Sequence, residues 1–326
     1  MYSNEVTKGF IMKIVVLDKN SLGQDTPLDG LNKFGSVTVY DTTSDTELGK
    51  RIADADVIIL NKVKITASAL SAAKSLKLVC VFATGYDNID VVSAREHGVA
   101  VCNVPGYSTD SVALFTVANV LALYTHLKEY NDYVTCGAYS SSGMPNRLTP
   151  VYHELAGKTW GIIGLGNIGR AVAKIAEAFG ANVIANKRTP TFDYECVDID
   201  TLCKKSDIIT IHCPLNDESR NLINADRISL MKDDVVLVNE ARGAVVNESD
   251  VADAIKNKRI GAFGSDVYSS EPFNSDHPFY EIKDYCNVLF TPHAAWGAYE
   301  ARLRCINTIC DNISSYLSGE RKNRVD

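Results

Sequence analysis

The stretch TWGIIGLGNIGR (residues 159–170) sets Gly164, Gly166 and Gly169 in the spacing G-x-G-x-x-G. An apolar run, WGII, precedes the first glycine, and a helical pattern, RAVAKIAEAFG, follows the last. Glycine triplets arise often by chance; a triplet joining a strand to a helix is the context that gives the spacing meaning. There the first glycine makes a tight turn, the second lets a pyrophosphate approach the backbone, and the third lets the helix pack closely on the strand. The amides of Asn167 and Ile168 then face phosphates at the positive end of the helix. The stretch predicts a dinucleotide-binding unit, and with it a parallel sheet covered by helices.

The flanking sequence extends that expectation to the whole chain. KIVVLD (13–18), VTVY (37–40), VIIL (57–60), LVCVF (78–82) and VAVCN (99–103) are short, β-branched and bounded by polar turns, so they read as buried parallel strands. TELGKRIAD and TASALSAAKS between them read as helices. A helical pattern covers 109–134, opening on Thr109, Asp110 and Ser111 as capping candidates, and SSSGMPNRLTP (140–150) breaks it. A second series of strands follows: TWGIIG, NVIAN, IITIHC, VVLVNEA, GAFGSDVY and VLFTPH, with a terminal helix over 301–319. MYSNEVTKGF reads as a short extension, with Met12 a candidate start.

Strand–helix alternation implies an α/β chain of two doubly wound parallel-sheet domains, which suits a length of 326 residues. The expected division is a flavodoxin-like substrate domain (1–104 and 297–326) around an inserted Rossmann dinucleotide-binding domain (105–296). Crossings near Pro105 and Trp296 would let the two close like a hinge.

A formal charge of −7 argues against nucleic acid as a partner. No apolar run reaches the roughly 18 residues of a membrane span, and the N-terminus lacks the pattern of a signal peptide. The nine cysteines form no C-x-x-C pair. They read as reduced thiols filling core positions in a cytoplasmic protein, with no metal site.

About twenty residues past the glycines, NAD requires a carboxylate for its ribose hydroxyls. Asn186, Lys187 and Arg188 stand there instead. Cations attract a 2′-phosphate, so the expected cofactor is NAD(P) with a leaning to NADP; NAD is the alternative if Lys187 and Arg188 are solvated loop residues.

Three later segments, VNEARGAVVNE (238–248), SDVYSSEP (265–272) and TPHAAW (291–296), together with ELAGKTWGIIGLGNIGRA and ATGYDNID (83–90), give the chain its resemblance to a known family. It resembles the D-isomer-specific 2-hydroxyacid dehydrogenases, in the same order over nearly the whole length. YDNIDVVSAREHGVAVCNVPGYSTDSVA resembles the glycerate dehydrogenase, or hydroxypyruvate reductase, branch. The resemblance implies reversible hydride transfer between a nicotinamide cofactor and a short 2-oxo or D-2-hydroxy acid, either hydroxypyruvate and glycerate or glyoxylate and glycolate. It also implies a homodimer built on residues 109–134 and the loop after them; the alternative is that the apolar stripe there is internal core.

The implied roles agree with independent chemistry. Arg242 would clamp the substrate carboxylate with its planar fork. His293 would give a proton to the carbonyl oxygen and take it back in oxidation, since an imidazole titrates near neutrality. Glu271 would orient that ring. Asp266 resembles the family position beside the nicotinamide carboxamide, or else is a turn-forming residue. Cys213, Pro214, Glu240 and Ala241 would border the cofactor mainly through backbone. Thr109 would contact phosphate or substrate, or only cap a helix. Thr84 and Gly85 would offer amides to the substrate carboxylate, and Tyr86 would limit it to short acids. His277 reads as a structural loop residue, and His212 as lining the cofactor site. Two relatives of the fold are less favoured. Phosphoglycerate dehydrogenases would add a regulatory domain after Gly319, and formate dehydrogenases carry Gln where Glu271 stands. A dinucleotide-binding corepressor that acts as a peptide scaffold is the alternative outside enzymes.

Overall fold

The computed structural model describes residues 12–189 and 191–326; the extension read at 1–10 lies outside them. The chain divides into two compact units, Met1–Ser108 with Gly297–Asp326, and Thr109–Trp296. The first crossing falls at 108/109, four residues later than the sequence suggests. Tyr107 is buried and its carbonyl accepts from Arg304 Nε at 2.9 Å, which ties 105–108 to the first unit.

The first unit holds strands β1 (Met12–Val16), β2 (Gly35–Val39), β3 (Val57–Leu60), β4 (Leu78–Val81) and β5 (Ala100–Cys102), with helices α1 (Asp45–Ile52), α2 (Ala67–Ala72) and α3 (Val91–Glu96) between them. All strand pairs are parallel, in the order β2-β1-β3-β4-β5. The apolar runs are continuous because helices cover both faces of such a sheet. The strand order reverses at β1 and β3, where open α/β sheets take ligands. Here a carboxylate of the chain fills that position. Asp18 accepts from the amides of Asn61 (2.9 Å) and Lys62 (2.6 Å), and burial pushes its carboxyl above the usual range.

The second unit opens with α4 (Thr109–Tyr124), α5 (Leu127–Thr135) and α6 (Ala138–Ser142). The continuous helix expected over 109–134 is therefore two. His126 takes a left-handed backbone (φ 53°), and the axes bend by 62° across the break. Ser111 lies in the first turn of α4, and its hydroxyl donates to Ala295 O at 2.6 Å. There follow β6 (Thr159–Ile163), α7 (Asn167–Ala178), β7 (Asn182–Asn186), β8 (Glu195–Cys196), α8 (Ile199–Lys205), β9 (Ile208–Ile211), α9 (Ala225–Ile228), β10 (Val236–Asn239), α10 (Glu248–Lys256), β11 (Ala262–Ser265) and β12 (Val288–Phe290). The two-residue β8 has no apolar run to announce it. Helix α11 (Tyr299–Leu317) belongs to the first unit.

The second sheet runs β12-β11-β10-β9-β6-β7-β8, all parallel. Its order reverses between β6 and β9, so its ligand crevice lies beyond the C-terminal ends of those strands. Five cysteines are buried (Cys80, Cys102, Cys203, Cys305, Cys310), but Cys136 and Cys286 are exposed, so core filling explains only part of the set. Among the described residues no single helix is long and apolar enough to cross a membrane, and no cluster fit to hold a metal is found.

Candidate active site

The glycine turn joins β6 to α7 at the strand-order reversal. Gly164 sits at φ +96°, and a Cβ there would lie 2.5 Å from Cys213 N, so β6 and the segment after β9 meet too closely for any side chain. A Cβ at Gly169 would lie 2.3 Å from Gly164 O, which explains the third glycine as a packing requirement. Gly166 is different. Among the described residues no atom beyond its two chain neighbours lies within 4 Å of the place its Cβ would take, so packing does not demand glycine there. Helix α7 starts directly after it with no side-chain cap. A bare helix start behind an open backbone position is what an approaching pyrophosphate requires.

Two buried groups at the same crevice also point to a ligand. His212, just past β9, has neither ring nitrogen bonded among the described residues, and burial pushes its imidazole down to about 3, hence neutral. Glu240, just past β10, takes a 2.6 Å bond from Asn119 Nδ2 on one oxygen, while the other has no partner among the described residues. Burial, helped by the nearby Asp266 charge, pushes its carboxyl up to about 8. Buried polar atoms left unpaired are rare and costly, so a polar ligand group beside them fits the site. The chain thus has the shape and chemistry for a dinucleotide.

At the end of β7, Asn186 turns its amide onto Val197 O (3.0 Å) and Gly164 N bonds its carbonyl (2.9 Å). Arg170 of α7 pairs with Asp193 in the following loop, and that pairing holds the Asp193 carboxyl down at about 2. Lys187 is half-buried and Arg188 exposed.

The next loops carry the other candidates. Past β10, Asn239 fixes the turn: its Oδ1 accepts from Ala241 N (3.1 Å) and its Nδ2 donates to Arg242 O (3.0 Å). Arg242 Nη1 donates to Ala241 O at 2.8 Å. Past β11 comes Asp266, only 1% exposed. Its carboxylate accepts from Thr291 Oγ1 (2.6 Å), Ala294 N (2.8 Å) and Ala295 N (2.8 Å). These bonds wrap the segment after β12 around a buried anion and hold His293 at φ +52°, a backbone state rare for a non-glycine residue. His293 Nδ1 stands 2.7 Å from Glu271 Oε2, and Glu271 Oε1 accepts from Tyr268 N at 3.1 Å. The Tyr268 hydroxyl donates to Thr291 O at 2.8 Å, joining the two loops again.

The structure thus brings Glu271 and His293 together, with Asp266 as the anchor of the His293 turn. Arg242 lies on the neighbouring strand end. A Cβ at Gly243 would fall 2.0 Å from Tyr268 C, so the Arg242 turn rests on the peptide that leads to Glu271. Thr109 is the first residue of α4. Thr84, Gly85 and Tyr86 lie in the first unit; Thr84 Oγ1 donates to Val104 O (2.9 Å), and Tyr86 is exposed. Sequence reasoning did not single out Asn119, Thr291 or Tyr268, whose roles consist of bonds to residues far off in the chain.

A Gly166→Ala variant separates ligand from packing. With no protein atom for the methyl to meet, its melting temperature is expected to stay put. Binding of the reduced nicotinamide cofactor, read by fluorescence titration with NADH and with NADPH, is expected to weaken by on the order of tenfold, since a pyrophosphate bound there would meet the methyl. Undiminished binding would remove Gly166 from the cofactor site.

The family model for the D-isomer specific 2-hydroxyacid dehydrogenase NAD binding domain matches residues 117–295. A hydroxypyruvate reductase of Blautia hydrogenotrophica is 37% identical over 97% of this chain and 100% of its own length. A solved acyclic imino acid reductase in complex with NADPH and D-Arg superposes with a TM-score of 0.86 at 31% identity, covering 97% of this chain and 100% of that one. D-Lactate dehydrogenase from Aquifex aeolicus, complexed with NAD and lactic acid, gives 0.84 at 28% identity, covering 96% of this chain and 98% of its own. With the model over more than half its length and a relative this similar end to end, the chain belongs to the D-isomer specific 2-hydroxyacid dehydrogenases, oxidoreductases that act on a CH–OH group with a nicotinamide cofactor.

Proposed function

We propose that this chain reduces a short 2-oxo acid, hydroxypyruvate or glyoxylate, to the corresponding 2-hydroxy acid with NADPH, and runs the reverse with NADP. The observation that carries the chemistry is the Glu271–His293 pair at 2.7 Å, at the C-terminal edge of a dinucleotide-binding sheet. A bound reduced nicotinamide supplies the hydride. The remaining work falls to side chains. Arg242 holds the substrate carboxylate in its fork and polarises the adjoining carbonyl. His293 delivers a proton to the carbonyl oxygen as negative charge develops there. Its Nδ1 is committed to Glu271, so Nε2 is the nitrogen assigned to that proton. Glu271 fixes the tautomer and stabilises the imidazolium that precedes transfer. Oxidation reverses each step, and His293 then accepts the proton. Asp266 acts by holding the His293 turn, and Glu240, Ala241, Cys213 and Pro214 border the cofactor. Thr109, Thr84, Gly85 and Tyr86 remain in the proposal on the sequence resemblance alone.

NADP is preferred over NAD on charge. Lys187 and Arg188 have no ion pair among the described residues, the strand end offers no carboxylate, and Asp193 is neutralised by Arg170. The proposed partner is a second copy of the chain. Leu127, Val134, Tyr139, Met144, Leu148, Val151 and Tyr152 all expose apolar surface on one segment of the second unit, as an interface requires. Nine free thiols suit a reducing compartment such as the cytoplasm.

The test is an activity matrix: glyoxylate, hydroxypyruvate, pyruvate and longer 2-oxo acids, each with NADH and NADPH. It is run on the native chain and on Lys187→Asp with Arg188→Ser. The native chain is expected to favour the two-carbon and three-carbon acids and NADPH. The double variant is expected to shift the kcat/KM ratio of NADPH to NADH toward NADH by at least about tenfold, the worth of one charge-assisted phosphate contact. A ratio that does not move sinks the charge argument; absence of turnover with every acid sinks the enzyme reading.

A further inference from the structure

Behind the Glu271 loop lies a second, buried acid–histidine pair. Glu248 is the first residue of α10, and His277 sits in the loop between β11 and β12; their side chains are 8% and 6% exposed. His277 Nε2 lies 2.9 Å from Glu248 Oε2, an oblique approach rather than a straight hydrogen bond. Phe279 N donates to His277 Nδ1 at 3.2 Å, so Nδ1 is the acceptor nitrogen and the ring proton sits on Nε2, facing the carboxylate. Phe273 stacks on the ring with centroids 4.8 Å apart, which fixes its plane. Glu248 also takes two bonds from Ser269: Oε1 accepts the backbone N–H at 2.8 Å, and Oε2 accepts the hydroxyl.

The amide next to that one donates to Glu271. Tyr268 N goes to Glu271 Oε1 and Ser269 N to Glu248 Oε1, so two neighbouring amides serve one carboxylate each. The two N–H groups belong to consecutive peptides that meet at Tyr268 Cα, so turning the Tyr268–Ser269 peptide shifts the residue whose own N–H serves Glu271. The Arg242 turn presses on the Tyr268–Ser269 peptide through Gly243. Burying a carboxylate is costly, and an apolar side chain would hold α10 against this loop more cheaply. What an apolar side chain lacks is the power to fix the direction of the Ser269 N–H.

We propose that Glu248 is a positioning residue for the reaction: by holding Ser269 and packing against His277 it fixes the backbone on the far side of Tyr268, whose N–H carries Glu271, and so sets where Glu271 meets His293. The proposal rests on the Glu271–His293 reading above.

Glu248→Gln tests it with near-constant volume. Its amide presents a donor either to the Ser269 N–H or to the His277 ring N–H, and His277 cannot switch tautomer while Phe279 occupies Nδ1. Four proteins are compared: native, Glu248→Gln, Glu271→Gln and the double variant. Turnover of hydroxypyruvate with NADPH is followed from pH 5 to 9, with NADPH affinity by fluorescence. Glu248→Gln is expected to lower kcat by on the order of 10²-fold, as a misplaced catalytic group does, with KM and NADPH affinity changed by no more than about twofold. Its pH–rate profile is expected to move toward that of Glu271→Gln. The double variant is expected to be no slower than Glu271→Gln alone, because residues acting through one another are not additive.

Native kcat in Glu248→Gln overturns the proposal, and so do losses that multiply in the double variant. If Glu271→Gln itself keeps native turnover, the underlying site reading fails instead, whatever Glu248 does. Should Glu248→Gln not fold, Ser269→Ala removes one donor and leaves the backbone amide. Its loss must then vanish in the Glu271→Gln background, and a loss that persists there, or no loss at all, overturns the proposal.

Discussion

Replacing His293 by alanine is expected to lower kcat for 2-oxo acid reduction by about 10² to 10⁴-fold, the usual worth of a positioned general acid. That corresponds to about 3 to 5 kcal/mol of barrier. The loss should fall on turnover and spare binding. In the proposed site the cofactor is held by the glycine turn and the end of β7, whereas the His293 side chain pairs with Glu271. The backbone at 293 already sits at φ +52°, where a Cβ is tolerated poorly, and alanine carries the same Cβ as histidine. The anchors of the turn are Asp266, Thr291 and the amides of Ala294 and Ala295, none of which the substitution removes. A folded, NADPH-binding, inactive protein is therefore the predicted state. Near-native turnover across pH 5 to 9 would show that the proton comes from elsewhere and would end the assignment of His293.

The difference between what could be read early and what could not lies in which forces leave marks on local sequence. The eleven longer strands of the two sheets announce themselves because a parallel sheet buries both faces and its central runs, such as VIIL at 57–60, stay apolar throughout. Strand β8 is two residues, Glu195 and Cys196, paired to Ile184 and Ala185, and no periodicity exists at that length. The break at His126 is equally silent. An apolar helical pattern continues through it, and only the left-handed backbone of one residue turns the chain. The glycine turn was legible because its requirement is steric and sits within six residues. Glu271 and His293 are 22 residues apart. Their motifs draw attention, yet the bond between them depends on two loops folded around Asp266 and Tyr268. Glu248 appears in the VVNE run with nothing to mark it, since its two donors come from Ser269 and its charged neighbour is His277, some 21 and 29 positions further on. Residues that touch a ligand recur in recognisable motifs; those that aim other residues are defined by backbone directions that only the fold supplies.

Arg242→Lys is the second large effect expected. Lysine keeps the charge but replaces a planar fork with a point donor on a longer, freer stem, and so cannot hold both carboxylate oxygens in one plane with the carbonyl. Loss of one charge-assisted hydrogen bond is worth about 1.5 to 3 kcal/mol, which raises KM for hydroxypyruvate by about 10 to 100-fold. The effect should not be structural, because the turn is held by Asn239, whose side chain bonds the backbone of Ala241 and Arg242 and is indifferent to which cation follows. What lysine does lose within the protein is the bond from Arg242 Nη1 to Ala241 O, a local contact that orients the guanidinium. Steady-state kinetics over a wide substrate range, beside an NADPH titration, separates the two contributions. A raised KM with unchanged NADPH affinity identifies Arg242 as the carboxylate clamp. An unchanged KM would mean that the substrate's charge is met by some other group, and the orientation of the carbonyl toward His293 would then need a different explanation.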